Sequence, residues 1–288
     1  MHFSCIIIPP LWISRVLIAM ENYRIGFIGA GNMSQALIAG LLDSGAVSKE
    51  QLAAVDPLPA ALQSLDEIGI RTSDDMSIVT RDSDLVFLGV KPQVAQSVLT
   101  QLAQTLSPEQ IVVSMMAGVQ TSQIEMHIVR EIPVVRVMPQ TLVRLRLGAC
   151  ALCPGRFASA NHLLRVRQLL EQVGSAVEVS EAQMDAVTGL SGSGPAYVYA
   201  IIDALADGGV RAGLPRATAL QLAAQTVAGA GQMVLRSELH PAQLKEQVTS
   251  PGGTTIAGLH ALEQGGLRAA LMNAVVEASK RSRELGTS

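Results

Sequence analysis

The sequence predicts two dissimilar halves, an α/β domain followed by an all-α domain. Three observations carry this. Short apolar runs alternate with helix-period segments from Tyr23 to about Val179, the pattern of a parallel, doubly wound sheet with helices on its faces. From Glu181 onward one Ala- and Leu-rich helical segment follows another. The 288 residues are enough for two domains of ordinary size. The expected division is an extension at 1–19, a sheet domain at 20–180 and a helical domain at 181–288.

Composition narrows the functions. With 49% apolar and 16% charged residues, the chain can bury a large core or a large subunit interface. A net charge of −3 with no basic block argues against nucleic acid as a partner. Three cysteines do not make a disulfide framework and suit a reducing, cytoplasmic setting. In residues 1–19 the apolar runs are split by Pro9-Pro10 and Arg15, too broken to span a bilayer. That segment lacks the basic start and cleavage site of a secretory signal. It reads as a dispensable extension before a start at Met20; as a presequence it would direct the chain to mitochondria.

Tyr23–Ile28 is the first strand, followed by Gly29-Ala-Gly31-Asn-Met-Ser34 and a helix carrying Leu37, Leu41 and Leu42. Strand, glycine turn and helix together form a Rossmann dinucleotide-binding signature. Gly29 allows the turn, Gly31 lets backbone approach a pyrophosphate, and Ser34 is small enough for helix and strand to pack closely. The second strand, Leu52–Val55, ends at Asp56, placed to bind the ribose 2′-hydroxyl of NAD. The alternative for Asp56 is a turn residue before Pro57. Further strands are expected at Asp84–Gly89, Ile111–Ser114 and Val134–Arg136, with helices around 94–106 and 122–130 between them. Val90-Lys91 and Met116-Ala-Gly118 fall at the carboxyl ends of strands, the ligand edge of such a sheet.

Two patterns carry less than they suggest. Cys150 and Cys153 fit C-x-x-C, but in a strand residues three apart point to opposite faces, and no second pair completes a metal set. Asp203 and Asp207 sit one helical turn apart, as the polar stripe of an amphipathic helix.

Helices are expected at 182–188, 194–208, 215–236, 241–248, 254–264 and 267–285, with Pro195, Pro215 and Pro241 at their starts. The stretch 217–235 is apolar over most of its circumference and is expected to be buried, which implies an extensive dimer interface. In Ser250-Pro-Gly-Gly-Thr-Thr255 the backbone turns at Gly252 and Gly253, and Thr254 and Thr255 are placed to cap the helix that follows. Such a helix start suits a small anion such as a carboxylate.

The segments Asp185–Val198, Asp203–Val210, His240–Lys245 and Ser250–Thr255 closely resemble pyrroline-5-carboxylate reductases, and the resemblance runs from Tyr23 to about Leu285. It implies reduction of 1-pyrroline-5-carboxylate to L-proline with NADPH or NADH, without a metal. It also implies a homodimer that assembles further, often to a decamer. By position, Gly29, Ala30, Gly31, Asn32, Met33, Val90, Lys91, Ala117 and Gln247 match cofactor contacts. Ser250, Gly253, Thr254 and Thr255 match the turn for the substrate carboxylate, and Thr255 the group that hydrogen-bonds the ring nitrogen. Glu181 and Glu238 match acidic substrate-side positions.

The chain departs from the family pattern in Met138–Ala149, where Gln140 and Leu142 replace Asn and Pro and Arg144 and Arg146 add charge, flanking the cofactor side of the cleft. That segment motivates an alternative, a dinucleotide-binding paralogue of low activity acting as sensor or scaffold. Related imine or 3-hydroxyacid dehydrogenases would need a Lys on the first helix of the second domain, where this chain has Ser191, Ser193 and Tyr197.

Overall fold

A computed structural model describes residues Tyr23–Gly286; the extension expected at 1–19 lies outside the described residues. The chain divides into two compact bodies, one running to Gly192 and resuming at Ser279, the other comprising Ser193–Ala278.

The first body is built on one sheet. Its strands are β1 (Ile25–Ile28), β2 (Leu52–Val55), β3 (Arg71–Ser73), β4 (Leu85–Leu88), β5 (Ile111–Ser114), β6 (Val134–Met138), β7 (Gly148–Pro154) and β8 (Gly174–Glu178), in the order β3-β2-β1-β4-β5-β6-β7-β8. β1 lies in register between β2 and β4, with Ile25 opposite both Leu52 and Leu85. The helices of this body are α1 (Asn32–Ser44), α2 (Pro59–Glu67), α3 (Ser77–Asp82), α4 (Ala95–Leu102), α5 (Thr121–Ile128), α6 (Ala160–Leu170) and the short α7 (Met184–Val187). The four-residue strands β1, β2, β4 and β5 are buried at every position, as parallel strands covered on both faces must be. One face packs Phe27, Phe87, Val113 and Val135 against Leu37 and Leu41; the other packs Ile28, Val86, Val112 and Val134 against Leu99 and Ile124. Phe27 and Phe87 stack with ring centroids 4.9 Å apart.

The wholly parallel sheet expected from the sequence is corrected at one place, because β7 runs antiparallel to β6. The link between them holds only a tight helical turn, Thr141–Leu145. It is too short for the crossover that a parallel pair needs. After β7, α6 supplies such a crossover, and β8 returns parallel. The turn packs closely on α1: a Cβ built on Gly40 would lie 2.2 Å from the Val143 carbonyl oxygen. Val143 is buried there, while Arg144 and Arg146 face solvent. Cys150 and Cys153 fall in different apolar clusters, and burial pushes both thiols up to about 12.

The second body is helical: α8 (Gly194–Arg211), α9 (Arg216–Arg236), α10 (Pro241–Gln247), α11 (Thr254–Gln264) and α12 (Leu267–Gly286), whose last turns from Ser279 belong to the first body. Asp207 pairs with Arg216 and ties α8 to α9. The buried apolar cluster of this body is Ala206, Ala219 and Ala223, with Ile202 and Val210 beside it. The expected burial of α9 is not supplied within a single chain: Leu220, Leu222 and Leu235 are 47%, 54% and 80% exposed. So small a cluster of alanines cannot cover helices that are apolar on several faces.

Candidate functional site

The candidate site residues fall into two groups, one in each body. In the first body the glycine turn closes the gap between β1 and α1. Gly29 has φ +93°, and a Cβ there would lie 2.8 Å from the Gly89 carbonyl group and 2.9 Å from the Val90 nitrogen. Only glycine fits that backbone and that spacing. The turn is fastened from four sides. The Gly29 N–H donates to the Val55 carbonyl at 2.8 Å. The Ser34 hydroxyl donates to the Gly29 carbonyl at 2.6 Å. Gln35 donates through Nε2 to the carbonyls of Ala30 and Ala61. Asp56 accepts the Ala30 N–H at 2.9 Å through one carboxylate oxygen and the Leu58 N–H at 3.0 Å through the other. Gln35 gave no signal in the sequence, since its role depends on the close approach of the Ala30 and Ala61 carbonyls.

This half fits a dinucleotide. Gly31 immediately precedes helix α1, and no side chain caps it. Nothing lies within 4 Å of a Cβ built on Gly31, so backbone N–H groups face open space at the positive end of a thirteen-residue helix. That is the chemistry a pyrophosphate requires. Asn32 and Lys91 are exposed beside the sheet edge, and Met33, Asp56, Val90 and Ala117 are half-buried. Gln140, just past the end of β6, is buried, and its Oε1 has no hydrogen-bond partner among the described residues.

Glu181, which the resemblance matches to a substrate-side position, is held by partners within the first body. Its Oε1 pairs with the guanidinium of Arg136, a residue 1% exposed in the middle of β6. Its Oε2 accepts from the Thr121 hydroxyl at 2.9 Å and the Thr121 N–H at 3.1 Å. Burial alone would raise its pKa. The Thr121 N–H, the Arg136 guanidinium and the Thr121 hydroxyl outweigh burial and hold it below the ordinary value of 4.5. A depressed carboxylate stabilises the fold above about 4.5, and that stability is lost as pH falls through the lower folded value. An Arg inside the apolar run Val-Val-Arg-Val-Met was a visible anomaly in the sequence; its partner, Glu181, was not identifiable from local spacing.

In the second body the turn before α11 is closed by the Gly253 N–H donating to the Ser250 carbonyl at 3.1 Å. Gly252 has φ +67°, and a Cβ on Gly253 would lie 2.3 Å from the Ser250 hydroxyl oxygen. Gly253 is the residue that precedes the helix, with no side-chain cap. The expected capping by Thr254 and Thr255 is therefore corrected: both lie inside the first turn of α11. Gly253, not a threonine, occupies the extended cap position, where a side chain would crowd the Ser250 hydroxyl. The helix start stays open to an anion. Thr255 is half-buried, while Glu238, Gln247, Ser250 and Thr254 are exposed.

The comparisons with known proteins cover nearly the whole chain. A family profile described as pyrroline-5-carboxylate reductase dimerisation matches residues 181–285, and one described as NADP oxidoreductase coenzyme F420-dependent matches 24–118. The chain is 47% identical to a pyrroline-5-carboxylate reductase of Methanosarcina acetivorans over 93% of this chain and 99% of that one. It is 43% identical to an Arabidopsis thaliana pyrroline-5-carboxylate reductase over 94% and 98%. It is similar to the crystal structure of Plasmodium falciparum pyrroline carboxylate reductase with NADP bound, with a TM-score of 0.83, 32% identity and coverage of 93% and 99%. The corresponding Coxiella burnetii structure gives a TM-score of 0.85, 34% identity and coverage of 93% and 100%.

Proposed function

The chain belongs to the pyrroline-5-carboxylate reductase family, and we propose from this premise that it reduces 1-pyrroline-5-carboxylate to L-proline with NADPH or NADH, the last step of proline biosynthesis. The observation that supports this most is near-complete coverage of relatives bearing that name, by a chain that keeps both the glycine turn and the uncapped turn before α11. Nothing observed favours the low-activity sensor.

The roles divide between the bodies. Gly29, Ala30, Gly31, Asn32 and Met33 hold the pyrophosphate side of the dinucleotide, with Asp56, Val90, Lys91, Ala117 and Gln247 contributing further contacts. When bound, the reduced nicotinamide supplies a hydride. Ser250, Gly253, Thr254 and Glu238 form the substrate side, where the start of α11 offers N–H groups to the carboxylate. Thr255 accepts a hydrogen bond from the ring nitrogen once solvent has protonated it to the charged iminium, and so orients the ring; orientation of this kind can lower a barrier by several kcal/mol. Its hydroxyl is too weak an acid to be the final proton source, which is solvent. No helix among the described residues is long and apolar enough to cross a membrane. A cytoplasmic location accords with the free, buried Cys150 and Cys153. The second body provides the dimer contact, and further assembly to a decamer is part of the same proposal.

Replacing Thr255 by Ala is expected to lower kcat/KM by about tenfold to a hundredfold, the worth of one hydrogen bond to a charged group. Steady-state kinetics with purified protein read this out, and unchanged kinetics remove Thr255 from the mechanism.

A further inference from the structure

We propose that Arg136 and Glu181 form a positioning pair that fixes the loop between β5 and α5, and with it Ala117, for dinucleotide binding; this rests on the reductase reading above. Glu181 then acts on the cofactor side, and its carboxylate is not a ligand for substrate.

The chemistry of the pair is unusual for a site of pure packing. Arg136 stands in a strand whose neighbours Val134, Val135, Val137 and Met138 are all buried and apolar. It lies in register with Ser114 on β5 and Cys153 on β7. Its Nη1 donates to Glu181, while Nε and Nη2 have no hydrogen-bond partner among the described residues. A buried ion pair of this kind is usually no more stabilising than apolar side chains of the same volume. Stability alone therefore does not account for its presence, and geometry is the remaining use.

What the pair holds is specific. One carboxylate, Glu181, spans from β6 to both donors of Thr121, the first residue of α5. Thr121 ends the loop that starts after Ser114. At its near end the loop is fixed by the Met115 N–H donating to the Leu88 carbonyl at 2.9 Å. In its middle, Gly118 has φ +76° and lies against the backbone of Ser282 and Gly286. Ala117 packs on the cluster of Met138, Ala151, Cys153 and Met184, the same sheet face that carries Arg136. Glu181 is thus the anchor at the far end of a six-residue span whose centre carries a proposed cofactor contact. Loss of the anchor frees Thr121 and lets Ala117 shift.

The test uses the full chain and two readouts: calorimetric binding of NADPH in the absence of substrate, and the KM for 1-pyrroline-5-carboxylate at saturating NADPH. The double variant Arg136→Met/Glu181→Met removes both charges together, so that neither is left buried alone. It is expected to melt within a few degrees of the parent, to bind NADPH roughly tenfold more weakly, and to keep its KM for substrate within about twofold. Arg136→Lys, which restores the charge, is expected to recover part of the NADPH affinity. Unchanged NADPH binding overturns the proposal. So does a raised substrate KM with unchanged NADPH binding, which would put Glu181 on the substrate. Should the double variant not fold, Thr121→Ala removes only the hydroxyl donor and must weaken NADPH binding about threefold; parental affinity there overturns the proposal as well. A parent protein that binds neither NADPH nor NADH would instead bring down the reductase reading itself.

Discussion

Replacing Gly29 by Ala is expected to destroy dinucleotide binding and to destabilise the first body. The residue sits at φ +93°, and an added Cβ meets backbone atoms of Gly89 and Val90 at 2.8–2.9 Å. Backbone at the end of a central strand cannot yield as a flexible side chain would, so the turn itself must move. Left-handed strain and overpacking together cost roughly 3 kcal/mol, which lowers the melting temperature by about 5 °C in a chain of this size. The displaced turn no longer aims the N–H groups of α1, and the NADPH dissociation constant rises about a hundredfold or more. Gly31→Ala is the informative partner. Its backbone is in an ordinary extended conformation, and its Cβ would meet nothing within 4 Å. The fold should be unaffected and binding alone lost, because the methyl group fills the space where the pyrophosphate approaches. Calorimetry and thermal melts separate the two effects. Parental NADPH affinity in Gly31→Ala would remove the turn from the cofactor site.

The second large effect is expected on α9. Leu220 and Leu222 are about half exposed, and this body buries only a small alanine cluster of its own. Leu220→Asp/Leu222→Asp removes about 2 kcal/mol of apolar burial from the proposed dimer contact and puts carboxylates into it, which together raise the dissociation constant roughly a thousandfold. Light scattering should show a monomer at micromolar concentration. Turnover is expected to fall with the dimer, while the first body still binds NADPH, because that body holds its own core and its own glycine turn. A variant that stays dimeric and fully active would place the interface elsewhere.

Much of this architecture can be read from periodicity. β1, β2, β4 and β5 are short apolar runs, and α8, α9, α11 and α12 lie close to the spans their apolar spacing predicts. Strand direction is less legible. An apolar run such as Cys150–Cys153 looks the same in either sense, and the length of the preceding link decides it. β3, with exposed or half-buried Arg71, Thr72 and Ser73, has no apolar signal and is defined by its pairing with β2. Residues within one turn, such as Gly29 and Gly31, were legible because motif spacing is local. The Arg136–Glu181–Thr121 cluster was not, since it unites residues from β6, the entry to the helical segment and α5. The cap of α11 is illegible for a related reason: threonine is a good cap, but the position before the helix falls on Gly253, crowded by the Ser250 hydroxyl.

The central claim is most directly tested by mixing the purified full chain with 1-pyrroline-5-carboxylate and either NADPH or NADH, following the absorbance of the reduced nicotinamide and identifying the product. The expected result is oxidation of at least one of the two cofactors, dependent on substrate, with L-proline formed in equal amount. No oxidation of either cofactor, by a protein that is folded and dimeric, would contradict it.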